Sequence, residues 1–383
     1  MTTMSKDAAR SCVYFRALRS GDYAYDWYKI DDTTDSGTHL SPALPRLPIS
    51  SELSSCVSLG PAIYVFGGAK VSADGSYVKG HLDELHWIDT LRPDQTGWVK
   101  APPTSRPRAL TYQANINGKI YLMGRGVTDV LENTELNCWR SLKPPLVETT
   151  PSGHAVLDGG KGFLVNYPLL DALYKFDVVR NTWSVHDLDC GRIGFKTASV
   201  DGILFSFLPV PSGRGICGYL VSDSKPFGSP KPVLGLEVLD LISAEDGDYV
   251  MNYVPRVLLD AGNGKLCAIY TRDLGVGSGN IKVYCLKFRV SKDFDEVSGE
   301  TNFLAENPVL SHYYCDDVTN LFDAVSVFPY EGMKTENGVG IEDKMTSMTT
   351  MEIRSCKDQV QGGGNNKTSS INQKKKNWKN TKK

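Results

Sequence analysis

Short strand-forming segments that border glycines recur along the chain, and this repetition constrains the fold more than any other feature. The clearest copy is GPAIYVFGG at 60–68, followed by GKIYLMGR at 118–125. Looser copies follow: GKGFLVNY at 160–167, DGILFSFL at 201–208 and GKLCAIYT at 264–271. Apolar runs of this length between glycines are typical of buried strands. The steps between copies, about 40 to 60 residues, are typical of the blades of a β-propeller.

Each copy is followed by further strand signals in a fixed order. The segment LYKFDVVRNTW at 173–183 alternates, so Leu173 and Lys175 should face one side of a sheet and Tyr174 and Phe176 the other. A tryptophan followed by prolines comes next, as in WVKAPPTSRPR at 98–108. The order predicts four strands per repeat. A β-sandwich with coincidental spacing is the alternative, but a sandwich has no reason to repeat this order.

These residues resemble kelch repeats, and most closely those of plant F-box/kelch proteins. The resemblance rests on a glycine pair, two tryptophans, an aromatic residue, an aspartate and a terminal arginine: Gly67, Gly68, Trp98, Trp183, Tyr64, Asp177 and Arg108. It implies one four-stranded blade per repeat, a glycine pair where backbones approach closely, and tryptophans packed between blades. It covers residues 11–330, strongly at 54–108 and weakly after 195.

The predicted fold is therefore all-β, a kelch-type β-propeller of six four-stranded blades. A seventh blade would have to come from the long stretch 209–255. The segment CVYFRALRSGDYAYDWYKIDD at 12–32 supplies two strands but no strand before a glycine pair. The apolar run at 320–330 has no partner of its own, so we expect strands from the two termini to share one blade and close the ring, which removes exposed sheet edges. LPRLPISSEL at 44–53 is interpreted as a connection between blades.

Composition places the propeller between two short polar termini. Residues 1–10 and the Lys/Asn/Ser-rich segment 331–383 are predicted to be disordered. The lysine run 374–376 suits nuclear import or weak nucleic-acid binding, but a dispensable tail is the favoured interpretation.

The sequence has no pattern of a secreted or membrane protein. Charged residues interrupt the first fifteen positions, where a signal peptide needs an apolar stretch, and no apolar stretch is long enough to span a membrane. The nine cysteines are odd in number and lack CxxC spacing, which argues against a disulfide framework or a metal site. We expect buried, reduced cysteines and a cytoplasmic or nuclear protein.

The sequence lacks the common catalytic and metal-binding patterns. There is no GxSxG or HExxH, and GVGSG at 275–279 is interpreted as a hairpin loop because no helix follows it. His81 and His86 are five residues apart, so they should not share a face. We predict no catalytic, cofactor or metal residues and no enzymatic activity. The alternative is a metal-dependent enzyme or small-molecule site in the propeller channel, like galactose oxidase or the nitrile-specifier proteins, whose ligand patterns are missing here.

Long loops are the remaining candidates for function. They are 69–81, 208–216, 222–232 and 271–280, and loops on a rigid scaffold are where recognition usually occurs. The predicted function is a protein-interaction adaptor or substrate-recognition scaffold that binds a protein partner through propeller-face loops as a monomer. The resemblance implies a link to ubiquitin ligases. Residues 1–10 are too few for a helical F-box, so we expect partner binding without an F-box of its own.

Overall fold

The computed structural model of the 383-residue chain describes residues 11–328 apart from short internal segments. The segments left out are 22–23, 48–50, 53, 72–76, 82–83, 93–94, 105–111, 125–126, 134–137, 143–152, 158–159, 168–171, 189–196, 209–214, 222–229, 240–253, 275–278 and 296–299. The described residues belong to one compact unit. The termini that were predicted to be disordered lie outside the described residues.

The described strands form six blades, most with four antiparallel strands, in the order that the repeats predict. Blade 1 contains β4 (Ser55–Leu59), β5 (Ala62–Phe66), β8 (Leu85–Asp89) and β9 (Val99–Ala101). Blade 2 contains β10 (Tyr112–Ile116), β11 (Lys119–Gly124), β12 (Val127–Asn133) and β13 (Cys138–Leu142). Blade 3 contains β14 (Gly153–Val156), β15 (Gly162–Tyr167), β16 (Ala172–Asp177) and β17 (Thr182–Leu188).

The second half of the chain supplies the remaining blades. Blade 4 contains β18 (Thr197–Val200), β19 (Ile203–Leu208), β20 (Gly215–Leu220) and β21 (Lys231–Leu234). Blade 5 contains β22 (Val254–Gly262), β23 (Lys265–Asp273), β24 (Ile281–Asp295) and β25 (Glu300–Cys315). Blade 6 contains β26 (Val318–Val327), β1 (Cys12–Arg19) and β2 (Tyr25–Ile30). All five predicted strand–glycine copies are the second strand of a blade.

The core consists of six apolar clusters, each between two neighbouring blades. Strand β5 shows how one segment serves two clusters. Its five residues are all buried. Ile63 and Val65 pack toward blade 6, whereas Tyr64 and Phe66 pack toward blade 2. A strand that is covered on both faces must be apolar at every position, which explains the uninterrupted run AIYVF.

Blade 6 closes the ring with strands from both ends of the described chain, as predicted. Strand β1 pairs with β2 on one side and with β26 on the other, where Phe15 lies opposite Ala324. The prediction was wrong about which strand the N-terminal segment lacks. β1 occupies the second position, and β26 supplies the innermost strand. Leu44, inside the predicted inter-blade connection, forms a single β-bridge with Trp27 where a fourth strand would lie.

Outer strand β25 joins three blades at the rim. Its first part pairs in parallel with β21 of blade 4, with Val233 opposite Phe303. Its last part forms backbone hydrogen bonds with the segment between β2 and Leu44. Leu40 N donates to Tyr314 O at 2.8 Å, and Gly37 N donates to His312 O at 2.7 Å. The repeat pattern does not predict these contacts, because they link strands of different blades.

Candidate functional site

The six innermost strands, β4, β10, β14, β18, β22 and β26, surround a central cavity of about 1000 Å³. We call the end where these strands begin the upper face and the end where they finish the lower face. In blades 1 to 5 the innermost strand turns into the second strand at the lower face, at positions such as Asn117–Gly118 and Asn263–Gly264. The cavity is therefore a channel whose wall is contributed by every blade.

Polar side chains on the channel wall tie neighbouring innermost strands together. Ser58 Oγ donates to Ser326 O at 2.5 Å, and Asn115 Nδ2 donates to Ser58 O at 3.1 Å. Gln113 Nε2 donates to Cys56 O at 2.6 Å, and Thr197 Oγ1 donates to His154 O. In the described residues, innermost strands of different blades form no ladder with each other, and these bonds pair polar groups across the gaps between blades. This part of the wall has a structural role.

The most deeply buried charge on the channel wall is Arg16, which is 2% exposed. Its guanidinium donates to both Oγ and O of Ser54 and lies 4.0 Å from Asp323 Oδ2. Asp323 Oδ2 also accepts from Cys56 N at 3.3 Å and from Cys56 Sγ at 3.2 Å. These contacts connect blade 6 to blade 1, at the point where the ring is closed by the two ends of the chain.

Burial shifts the pKa values of three groups of the wall, His154, Cys56 and Asp260, toward their neutral forms. Burial lowers the pKa of His154 to about 4, against the effect of its hydrogen bond with the backbone of Gln113. Burial, reinforced by Asp323, raises the pKa of Cys56 well above its ordinary value. Loss of water raises the pKa of Asp260, and nearby Asp201 raises it further, while the bond from Gly262 N opposes the shift. Neutral His154 and protonated Cys56 are poor candidates for acid–base or nucleophilic chemistry at neutral pH.

The upper face carries a structure that the four predicted loops did not anticipate. Residues 69–81, predicted to be a loop, contain the strands β6 (Ala69–Val71) and β7 (Tyr77–His81). With β3 (Ser51–Glu52) they form a separate three-stranded sheet, in which Ser51 lies opposite Lys70 and Val71 opposite Tyr77. We call it the small sheet. Its strands β6 and β7 are inserted between the second and third strands of blade 1, and β3 precedes the first strand of that blade.

The other predicted loops are placed in part. The segments 208–216 and 271–280 also connect second to third strands, which are joined at their upper-face ends. The segment 222–232 connects β20 to β21, which are joined at their lower-face ends. Most of 208–216 and 222–232, and residues 275–278 of the GVGSG segment, lie outside the described residues. Within 271–280, Thr271–Asp273 continue strand β23.

The structure also places the predicted cysteines and histidines. His81 lies in β7 of the small sheet and His86 in β8 of blade 1, so they belong to different sheets. The six cysteines whose side chains the structure describes are free thiols, and all but Cys12 are buried. In the described part of the chain, no group of three or more His, Cys, Asp or Glu side chains could hold a metal ion. The same residues include no helix long and apolar enough to cross a membrane.

Comparison with known proteins gives one sequence relative. An F-box/kelch-repeat protein of Arabidopsis thaliana is 25% identical over 193 residues. The match covers 48% of this chain and 47% of the relative, so the chain matches about half the length of that protein. No protein-family model matches the chain. The solved structure of YjhT covers 76% of this chain at 13% identity, with a TM-score of 0.47, and 98% of its own chain is matched.

The predicted resemblance to kelch-repeat proteins is confirmed at the level of weak homology to one such protein. The predicted all-β propeller is confirmed by the strand order and by the six inter-blade clusters.

Proposed function

We propose that this chain is a protein-interaction scaffold that binds a protein partner through the upper face of its propeller. The observation that carries the proposal is the small sheet. Ser51–Glu52, Ala69–Val71 and Tyr77–His81 pair into a folded sheet that is separate from the sheets of the ring. Folded additions at the end of a rigid scaffold are typical positions for recognition.

Two further features support an interaction function over catalysis. Ser58, Gln113, Asn115 and Thr197 of the channel wall form bonds between blades. The pKa shifts of His154 and Cys56 favour their neutral forms. The sequence relative is named for its F-box and its kelch repeats. The proposed role is therefore that of an adaptor or substrate-recognition scaffold without enzymatic activity.

The test uses the full chain and two charge-matched double variants. The variant Lys70→Glu/Lys79→Glu changes the small sheet, and the control Lys161→Glu/Lys265→Glu changes two exposed lysines at the lower face. Tagged wild type and both variants are used for quantitative affinity purification, and each partner is then purified and titrated. We expect the first variant to weaken binding at least about tenfold and the control to bind like wild type, because reversing charge within an interface disfavours association. Equal binding by all three chains would contradict the proposed face.

A link to ubiquitin ligases is the finer part of the proposal. It is supported only by the name of the Arabidopsis relative. Cullin-ligase subunits should then copurify with the partner, in amounts proportional to the amount of the tagged chain. Their absence, together with a reproducible partner, would leave an adaptor that works outside the ligase.

A small-molecule site in the channel is the second candidate function, and the cavity of about 1000 Å³ is the observation that favours it. A cavity of this size is in the range of ligand-binding pockets. Native mass spectrometry and metal analysis of the purified full chain test it. A stoichiometric small molecule or metal that is displaced by Asp323→Asn would favour the channel over the upper face.

A further inference from the structure

Two cysteines inside blade 5 lie in direct contact. Cys267 Sγ and Cys285 Sγ are 3.4 Å apart on the neighbouring strands β23 and β24. The register places Cys267 opposite Lys287 and Cys285 opposite Ile269, so the two thiols are diagonal neighbours across the antiparallel pair. At 3.4 Å the sulfur atoms of this diagonal pair are in direct contact.

The surroundings of this pair favour one thiolate. The hydrogen bond from Cys267 lowers the pKa of Cys285, and the ammonium of Lys287 lowers it further, while burial opposes the shift. Conversely, the bond to Cys285 and burial raise the pKa of Cys267. Lys287 Nζ is held by Asp32 Oδ1 at 2.9 Å, which keeps the positive charge beside the pair. Cys285 is thus the nucleophilic cysteine of the pair, and Cys267 is the resolving cysteine, which attacks the oxidised Cys285.

We propose that Cys267 and Cys285 are a site of reversible oxidation, at which a hydroperoxide converts the thiol pair into a disulfide between the two middle strands of blade 5. In the first step the Cys285 thiolate attacks the peroxide, the O–O bond breaks, and a sulfenic acid forms while the alkoxide or hydroxide takes up a proton. In the second step Cys267 attacks that sulfur, the S–O bond breaks, and water leaves with the thiol proton. The two thiols are oxidised and the peroxide is reduced.

The position of the pair determines how the reaction proceeds. Both thiols are buried, and the partly exposed Lys287 lies next to them toward the solvent. The oxidation therefore waits for local opening of blade 5, and the completed disulfide is shielded from reductants. Blade 5 carries the rim strand β25 that contacts blades 4 and 6, so the bond fixes the blade on which these contacts depend.

The test is differential alkylation of the folded full chain after exposure to hydrogen peroxide. Free thiols are blocked under denaturing conditions, disulfides are then reduced and labelled, and the labelled peptides are identified by mass spectrometry. We expect label at Cys267 and Cys285 in equal amounts, reversed by prior treatment with dithiothreitol. Label spread over Cys12, Cys56 or Cys315, or over-oxidation of Cys285 without a linkage, would overturn the proposal, and so would an unmodified pair.

Variants and a stability measurement complete the test. Cys267→Ser and Cys285→Ser should each abolish the labelled pair, whereas Cys217→Ser, a change at a buried thiol in blade 4, should leave it intact. The wild-type map decides the question even if a serine variant fails to fold. Oxidised wild type should unfold about 5 °C higher than reduced wild type, because the bond closes a short loop in the unfolded chain. An unchanged Tm, despite complete linkage in the map, would contradict the claim that the bond fixes blade 5.

Discussion

Successive side chains of one strand point to opposite faces of the blade. They therefore pack in different interfaces, one with the preceding blade and one with the following blade. In β16, Leu173 packs between blades 3 and 4, whereas Phe176 packs between blades 2 and 3. The alternation of LYKFD predicted this division, because successive side chains of a strand face opposite sides. The channel bonds of Arg16 and Gln113 could not be predicted in this way, since they depend on residues far apart in the sequence.

The pH dependence of stability should contain a contribution from His154. Its pKa in the folded chain is about 4, below the ordinary value near 6.5. Between these values the unfolded chain binds a proton that the folded chain does not, so stability is complete above about pH 6.5 and is lost as the pH falls toward 4. We expect a loss of at most about 3 kcal/mol.

Urea unfolding of wild type and His154→Gln from pH 7 to pH 4 measures this contribution as the difference between the two curves. His39→Gln, which alters a histidine that is 66% exposed, is the control and should follow wild type. Parallel curves for wild type and His154→Gln would show that His154 titrates normally.

Gly162 should tolerate no side chain. A Cβ at this position would lie 2.1 Å from the carbonyl oxygen of Phe176 on the neighbouring strand. We expect Gly162→Ala to lower the free energy of unfolding by about 2 to 4 kcal/mol, because backbone must move to admit the methyl group. Gly97→Ala is the matched control, since its Cβ would meet nothing within 4 Å. Similar unfolding midpoints in urea for the two variants would contradict the close approach of β15 and β16.

At the scale of the element, Trp98 packs between two blades as the kelch resemblance implied, whereas the ring contacts of Trp183 are with Phe163 and Phe176 of its own blade. Gly67 and Gly68 both have positive φ, at 57° and 106°, where the chain leaves β5. Trp98 of blade 1 packs against Trp27 of blade 6 at 5.6 Å, and Trp139 of blade 2 against Phe66 of blade 1 at 6.0 Å. The small sheet and the pairing of β21 with β25 were missed. Neither follows the repeat, and short strands such as Ser51–Glu52 carry almost no sequence signal.

The attachment of β25 to blade 4 should depend on one face of the strand. Phe303 is 1% exposed and packs against Phe205, whereas the adjacent Leu304 is 42% exposed. We expect Phe303→Ala to lower the free energy of unfolding by about 3 to 5 kcal/mol and Leu304→Ala by less than about 1 kcal/mol. Chemical denaturation of the two variants provides the measurement. Equal losses would contradict the register that pairs Phe303 with Val233.

At the scale of the whole molecule, each blade depends on both neighbours, and blade 6 depends on both ends of the described chain. Blade number, strand order and the shared blade could be predicted because they follow from the repeat and from one unpartnered run at each end. The sequence could not show that the N-terminal segment lacks the innermost strand of blade 6. A glycine pair would have marked β1 as the second strand, but Arg19-Ser20-Gly21 stands in its place.

Thermal unfolding of two shortened chains tests the composite blade most directly. The chain 1–334 keeps β26, whereas the chain 1–317 loses it and leaves β1 without its partner and the clusters of blade 6 incomplete. The account predicts that 1–334 unfolds cooperatively within a few degrees of wild type, because the predicted tail adds no core. It predicts that 1–317 is insoluble or lacks a cooperative transition, since removing the innermost strand exposes sheet edges and buried apolar surface. Equal stability of the two shortened chains would contradict the closed ring.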